Sequence, residues 1–100
     1  MFKKWKQYRK QQELKAQRRI YSDEVNRYLY NKRDSLICEF SDLCQKYHGR
    51  IAYEDMLIVL GKDFPKPQWI HGSKTNEQIV AFFAEVGIPF RADETHLYFP

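Results

Sequence analysis

The sequence predicts an α+β fold: a winged-helix-like body of helices and a small C-terminal β-hairpin, preceded by a basic helix. Three observations carry this reading. Apolar residues recur at helical spacing between Val25 and Val86. The glycines Gly49, Gly61, Gly72 and Gly87 fall between the apolar runs rather than inside them. The last stretch places two short apolar segments around a polar turn.

Residues 2–20 are rich in Lys, Gln, Arg, Glu, Leu and Ala and contain neither Gly nor Pro, so helix is the natural reading. It is not a core helix, because Phe2, Trp5 and Tyr8 drift around the cylinder and cations occupy every side. Ser22 followed by Asp23 and Glu24 has the form of a fresh helix start, a cap followed by two carboxylates. Val25, Tyr28, Leu29, Leu36, Ile37, Phe40, Leu43 and Tyr47 then give that helix an apolar face until Gly49. The polar stretch at 31–34 leaves room for a break into two helices.

Arg50, Ile51 and Ala52 read as a short extended piece, followed by a compact helix from Tyr53 to Leu60 that Gly61 closes. Residues 62–74, with Pro65, Pro67 and Gly72, read as a loop anchored by Trp69 and Ile70. Thr75 and Gln78 have capping-box spacing, and Ile79, Val80, Phe82, Phe83 and Val86 give the next helix a wide buried face. Gly87-Ile88-Pro89 is a strong stop. Residues 88–91 and 96–99 then form the hairpin. From residue 35 onward, this is the element order of a winged helix. The division expected is a basic arm at 1–20 and a winged-helix-like domain at 21–100.

A family resemblance rests on two stretches. His48-Gly49-Arg50-Ile51-Ala52-Tyr53-Glu54-Asp55-Met56-Leu57 resembles a stretch in the N-terminal autoinhibitory region of primary bacterial sigma factors. Glu77 to Val80, continuing through Val86-Gly87-Ile88-Pro89-Phe90, is similar to the second half of that module. The resemblance covers residues 36–94. Ala52 departs from it, standing where the family usually has a capping threonine, and the loop from Lys62 to Lys74 is longer than usual. No sigma-type promoter-binding regions follow in this sequence. The resemblance therefore implies a winged-helix fold and a link to transcription machinery such as RNA polymerase, not sigma activity.

Charge distribution says more than the net +4. Residues 1–20 carry eight cations against the single Glu13, a balance of +7, whereas residues 21–100 hold nine Lys/Arg against twelve Asp/Glu, a balance of −3. The cations Lys3, Lys4, Lys6, Arg9, Lys10, Lys15, Arg18 and Arg19, interleaved with Trp5 and Tyr8, suit phosphate contact and base stacking. An acidic protein surface and a plain solvated tail are the competing readings of the same charges. Arg91 on the hairpin is a further backbone-contact candidate.

The helix at 76–86, where a winged helix normally reads the major groove, turns Asn76, Glu77, Ala81 and Glu85 outward, with no Lys or Arg. Carboxylates are repelled by phosphate, so direct base readout there is not expected. Trp69, Glu77 and Glu85 are instead candidates for protein binding, with a lid over the core as the simpler role for Trp69.

Other chemistries find little purchase. Cys44 and His48 have a zinc-compatible spacing but no further ligands in a matching pattern, so no metal and no cofactor are expected. Ser35 and Ser41 lack a nucleophile-elbow context, Glu54 and Asp55 are adjacent rather than facing, and there is no phosphate-cradling glycine loop. An enzyme is not expected. The longest apolar run, Met56 to Leu60, is far too short for a membrane span, and the charged N-terminus is not the pattern of a secretory signal. Cys38 and Cys44, about 9 Å apart along one helix, read as reduced thiols of a cytoplasmic protein.

The functional expectation is a non-enzymatic regulatory binding protein associated with nucleic acid (non-specifically) or the transcription apparatus. In this reading the arm contacts phosphate and the body docks on protein. The alternative is a small adaptor or inhibitor that occupies an enzyme surface without nucleic acid. A homodimer burying the long helix at 23–48 is a third arrangement compatible with the pattern.

Overall fold

The structure, a computed structural model, describes residues 2–70 and 74–100, with side chains from residue 11 onward. It is α+β, in the order α1 (Phe2–Lys46), β1 (Arg50–Ala52), α2 (Tyr53–Leu60), α3 (Thr75–Val86), β2 (Arg91–Ala92) and β3 (His96–Tyr98). The three strands form one antiparallel sheet in the order β1-β3-β2. Ile51 lies opposite Leu97 in one pairing, and Ala92 lies opposite the same Leu97 in the other.

The largest departure from expectation is α1. A start at Ser22 and a break at 31–34 are both absent: one helix runs unbroken for 45 residues, about 67 Å at 1.5 Å per residue. The physical reason lies in its neighbours. Tyr21, Val25 and Tyr28 are buried together on one face, which requires residue 21 to be helical already. Ser22 inside a helix costs only a few tenths of a kcal/mol, roughly, and docking of Tyr21 outweighs it. Burial changes sharply here. Residues 11–20 are exposed apart from the half-buried Gln17, whereas Tyr21 is 2% exposed.

The core forms where α1, α2, α3 and the sheet meet. Val25, Ile51, Met56, Leu60, Ile79, Phe82 and Leu97 are all essentially excluded from solvent. Each contributes roughly 1.5–3 kcal/mol through burial of its side chain. Phe82 sits at the centre of an aromatic cluster, edge-on to Tyr28 at 5.7 Å, Phe64 at 6.1 Å and Phe83 at 5.4 Å. The expectation that Ile37 and Tyr47 share this face is corrected. Both are exposed: Ile37 borders open space between α1 and the other two helices, and Tyr47 lies just beyond the end of α1.

Hydroxyls of buried tyrosines fasten chain segments that have no regular partner. Tyr28 donates to the Leu60 carbonyl at 2.5 Å, satisfying the last turn of α2. Tyr21 donates to the Pro65 carbonyl at 3.3 Å and meets Trp69 edge-on at 5.4 Å, which holds the 62–70 loop against α1. Burial raises the pKa of both phenols, so they remain neutral donors.

Helix ends follow the sequence signals unevenly. Gly87 takes the left-handed conformation (φ 86°) and donates to the Phe83 carbonyl, closing α3. Gly49 (φ 80°) is buried, and its carbonyl accepts a 2.8 Å bond from the Phe99 N–H. A Cβ at Gly49 would collide with the Phe99 carbonyl oxygen. The capping box at Thr75 and Gln78 does not form. Lys74 is the N-cap and its carbonyl receives the Gln78 N–H, so Thr75 is already the first helical residue. Ala52 caps α2 with an extended backbone (φ −66°, ψ 146°) and no side-chain acceptor.

Two stability outcomes follow. Ala52→Thr supplies the missing acceptor to α2 on an N-cap backbone already in place, and should raise unfolding free energy by about 1 kcal/mol in urea titration. Gly49→Ala combines a left-handed backbone with the Phe99 clash, and should cost more than about 2 kcal/mol in the same assay.

Candidate functional site

Three surfaces carry chemistry beyond the core. The first is the N-terminal part of α1. Lys15, Arg18 and Arg19 lie on its solvent-exposed stretch. Lys3, Lys4, Trp5, Lys6, Tyr8, Arg9 and Lys10 lie on its helical backbone, and their side chains are outside the described residues. No core residue lies between 11 and 20, and every residue of this stretch but the half-buried Gln17 is exposed. Leu14 and Ile20 are both exposed on it, interleaved with the cations.

The second surface is the tip of the hairpin, organised by Asp93. One carboxylate oxygen of Asp93 accepts from the Thr95 N–H at 2.8 Å, the His96 N–H at 2.7 Å and the Thr95 hydroxyl at 3.2 Å. The other accepts from the Tyr98 hydroxyl at 2.5 Å. From the body, Tyr53 donates to the Asp93 carbonyl at 2.8 Å, fixing the tip against α2. The Tyr98 hydrogen bond, helped by the Thr95 and His96 amides, holds the Asp93 carboxyl far below the usual carboxylate range. The same bond raises the Tyr98 phenol. Arg91 lies over the Tyr98 ring at 5.3 Å, so its guanidinium is stacked on the hairpin while the residue stays exposed.

Beside this tip is a depression of about 520 Å³ lined by Tyr53, Asn76, Glu77, Val80, Asp93 and Glu94. Asn76 donates to the Glu94 carbonyl at 3.4 Å across it. Three carboxylates thus line the N-terminal end of α3, and Glu85 is exposed further along that helix. Trp69 is not part of this surface. It is half-buried, edge-on to Tyr21, in the role of a lid on the core. Arg91 and the α1 cations also belong to different elements, so the residues named from sequence do not converge on one point.

The third surface has no counterpart in the sequence reading. α1 stands away from α2 and α3 along one flank, leaving an apolar groove of about 450 Å³. Leu29 and Ile37 line it from α1, Val59 from α2, and Val86 and Ile88 from α3 and its end, with Arg33 the single charged group in the lining. Tyr30 stands at its rim, 86% exposed, and Ile37 is 55% exposed. Helical spacing alone assigned Ile37 to the core. The groove depends on how far three helices stand apart, which no single-helix pattern records.

Among the described residues no group of His, Cys, Asp and Glu could hold a metal ion, and no helix is long and apolar enough to cross a membrane. Cys38 is exposed, and Cys44 is half-buried with its thiol pKa raised by burial; both are free.

Because Asp93 is depressed in the folded state, its contribution to stability is present above the ordinary carboxylate pKa and disappears only as pH falls through the much lower folded value. In a carbon-detected NMR titration, the Asp93 carboxyl should show no step between pH 7 and about pH 3, where exposed carboxylates titrate. Tyr98→Phe removes the largest cause of the depression and should move the Asp93 step up toward that range.

Searches against protein-family models, curated proteins and solved structures find no match to this chain.

Proposed function

We propose that this protein is a non-enzymatic regulatory binding protein associated with nucleic acid or the transcription apparatus. Its basic helical arm contacts phosphate without sequence preference, and its body docks on protein. The observation that carries this reading is the separation of charge along one helix. The +7 segment at 1–20 precedes Tyr21, the first buried residue of α1 among those whose side chains are described, and the −3 body follows. The described cations of this segment, Lys15, Arg18 and Arg19, are exposed, and each phosphate contact made by such a cation releases counterions.

The body fits this division of labour. Its order from the second half of α1 onward, helix, strand, helix, helix and hairpin, with the sheet order β1-β3-β2, supports a winged-helix reading in which β2 and β3 form the wing. The outward residues of α3, Glu77 and Glu85, and the neighbouring Asp93 and Glu94 disfavour approach of a phosphate backbone. They suit a cationic protein surface instead, such as one on RNA polymerase. Two free thiols agree with a cytoplasmic setting. Fold alone does not determine function, so the weight rests on charge and exposure.

The acidic depression beside the wing favours one second reading: an adaptor or inhibitor that docks on a basic enzyme surface with no nucleic acid involved. The two readings differ in which segment carries affinity.

Fluorescence anisotropy of labelled duplex and single-stranded DNA separates them. The full chain should bind with a log–log salt slope no steeper than about −7, the limit for eight phosphate contacts. Full-length protein carrying Lys15→Glu, Arg18→Glu and Arg19→Glu should lose most of that affinity while remaining folded, since these positions lie outside the core. Absence of binding, or binding indifferent to the triple reversal, rejects the nucleic-acid reading and leaves the adaptor.

A further inference from the structure

The apolar groove and the rim beside it form a surface that matches itself. Tyr30 is a large side chain with almost no cover, standing next to a hole of about 450 Å³ that the chain's own residues leave unfilled. A ligand confined to the hole would leave the Tyr30 ring and the outer side of Ile37 in water. A partner that covers groove and rim together buries all three features.

The charges on the same side of α1 identify which partner. Arg27 and Asp34 are both exposed and flank Tyr30, three residues before it and four after. They are seven residues apart, about 10.5 Å along the axis, on nearly the same line of the helix. That separation is too long for an ion pair within one chain. It suits a pair between two antiparallel copies, because a two-fold axis passing midway between residues 27 and 34 places each Arg27 opposite the other copy's Asp34. The same axis passes beside Tyr30, bringing each Tyr30 ring to the mouth of the other copy's groove. An isologous contact needs such a self-complementary patch, with an apolar centre and charges that exchange across the axis.

We propose that this face is an antiparallel homodimer interface, with the groove of each chain closed by Tyr30 of a second copy and the flanks tied by reciprocal Arg27–Asp34 pairs. Arg33, the one charge in the groove lining, is exposed and lies about 100° around α1 from Asp34. It has a long aliphatic stem that can stay in the groove while its guanidinium reaches solvent. The two basic arms then leave the dimer in opposite directions. Residues 15 and 30 are about 22 Å apart along each helix, so the described cations of the two arms lie tens of ångströms from one another.

The test is sedimentation of the full chain from about 1 to about 300 µM, a range over which a moderate dimer changes its population. The wild-type should pass from the 12.2 kDa chain mass to twice that value. Tyr30→Asp should weaken dimerisation by about 30-fold, the scale of losing a central aromatic contact. Arg27→Asp alone should weaken it, and the double exchange Arg27→Asp with Asp34→Arg should restore it, since the exchanged charges still face each other. All three positions are exposed, and unchanged far-UV circular dichroism confirms that each variant is folded. A wild-type chain that stays monomeric throughout overturns the proposal, whether or not added dodecanoate raises its thermal midpoint and so marks the groove as an amphiphile site. A dimer indifferent to Tyr30→Asp, or a double exchange that fails to restore association, overturns it equally.

Discussion

The body depends on the way Tyr28 joins three helices. Its ring packs edge-on against Phe82 of α3, and its hydroxyl donates to the Leu60 carbonyl at the end of α2, while its backbone belongs to α1. One side chain thus supplies apolar area, aromatic geometry and a buried hydrogen bond. Without the hydroxyl, the Leu60 carbonyl would be left in a water-excluded place, which costs about 1–3 kcal/mol. Lys32, one turn further along α1, adds its ammonium at 5.2 Å from the same ring. Tyr21 plays the corresponding part for the loop, through Pro65 and Trp69. The α1 helix therefore holds the body along one face, from Tyr21 through Tyr28 to Phe40 and Leu43, and its other faces are open to solvent.

That economy explains why so much binding-competent surface remains. A small domain has little core to share, and here α1 gives only one narrow face to it. The flank facing α2 and α3 is left as a groove, and residues 11–20 are exposed apart from the half-buried Gln17. The hairpin is held differently. Its order comes from polar contacts to one carboxylate at the surface, together with Leu97, buried opposite Ile51 in the sheet. Hydrophobic packing and polar clasping divide the body between them, and the acidic character of the α3 end comes from the second.

Much of the body was legible in the sequence because its punctuation is local. Gly61 and Gly87 end helices, Arg50-Ile51-Ala52 is extended, and Asp93 to Thr95 sits between paired strands. The start of α1 was misread for an equally local reason. Ser22-Asp23-Glu24 has the composition of a helix beginning, and only the burial of Tyr21 on the preceding turn shows that the helix is already under way. At Thr75 the capping residues were the right types in the wrong phase, with Lys74 taking the cap position. The Asp93 clasp did leave a signal, an aspartate two residues before a threonine in a short turn, but reading the turn only as a turn passed over it. The groove left none. It arises from distances between elements, and Ile37 carries the same pattern signal as the buried residues around it.

The continuity of α1 has a consequence for how the chain can vary. With no loop between residue 20 and residue 21, the arm and the body share one helical phase. A single residue inserted between 11 and 20 would advance everything before it by about 1.5 Å and rotate it by about 100° relative to the body. Whatever surface the arm meets, its azimuth is set by residue count as well as by composition. Seven inserted residues return the cations to nearly the same bearing, and one or two do not. Length in this segment is therefore quantised, in a way that a flexible tail of the same charge would not be.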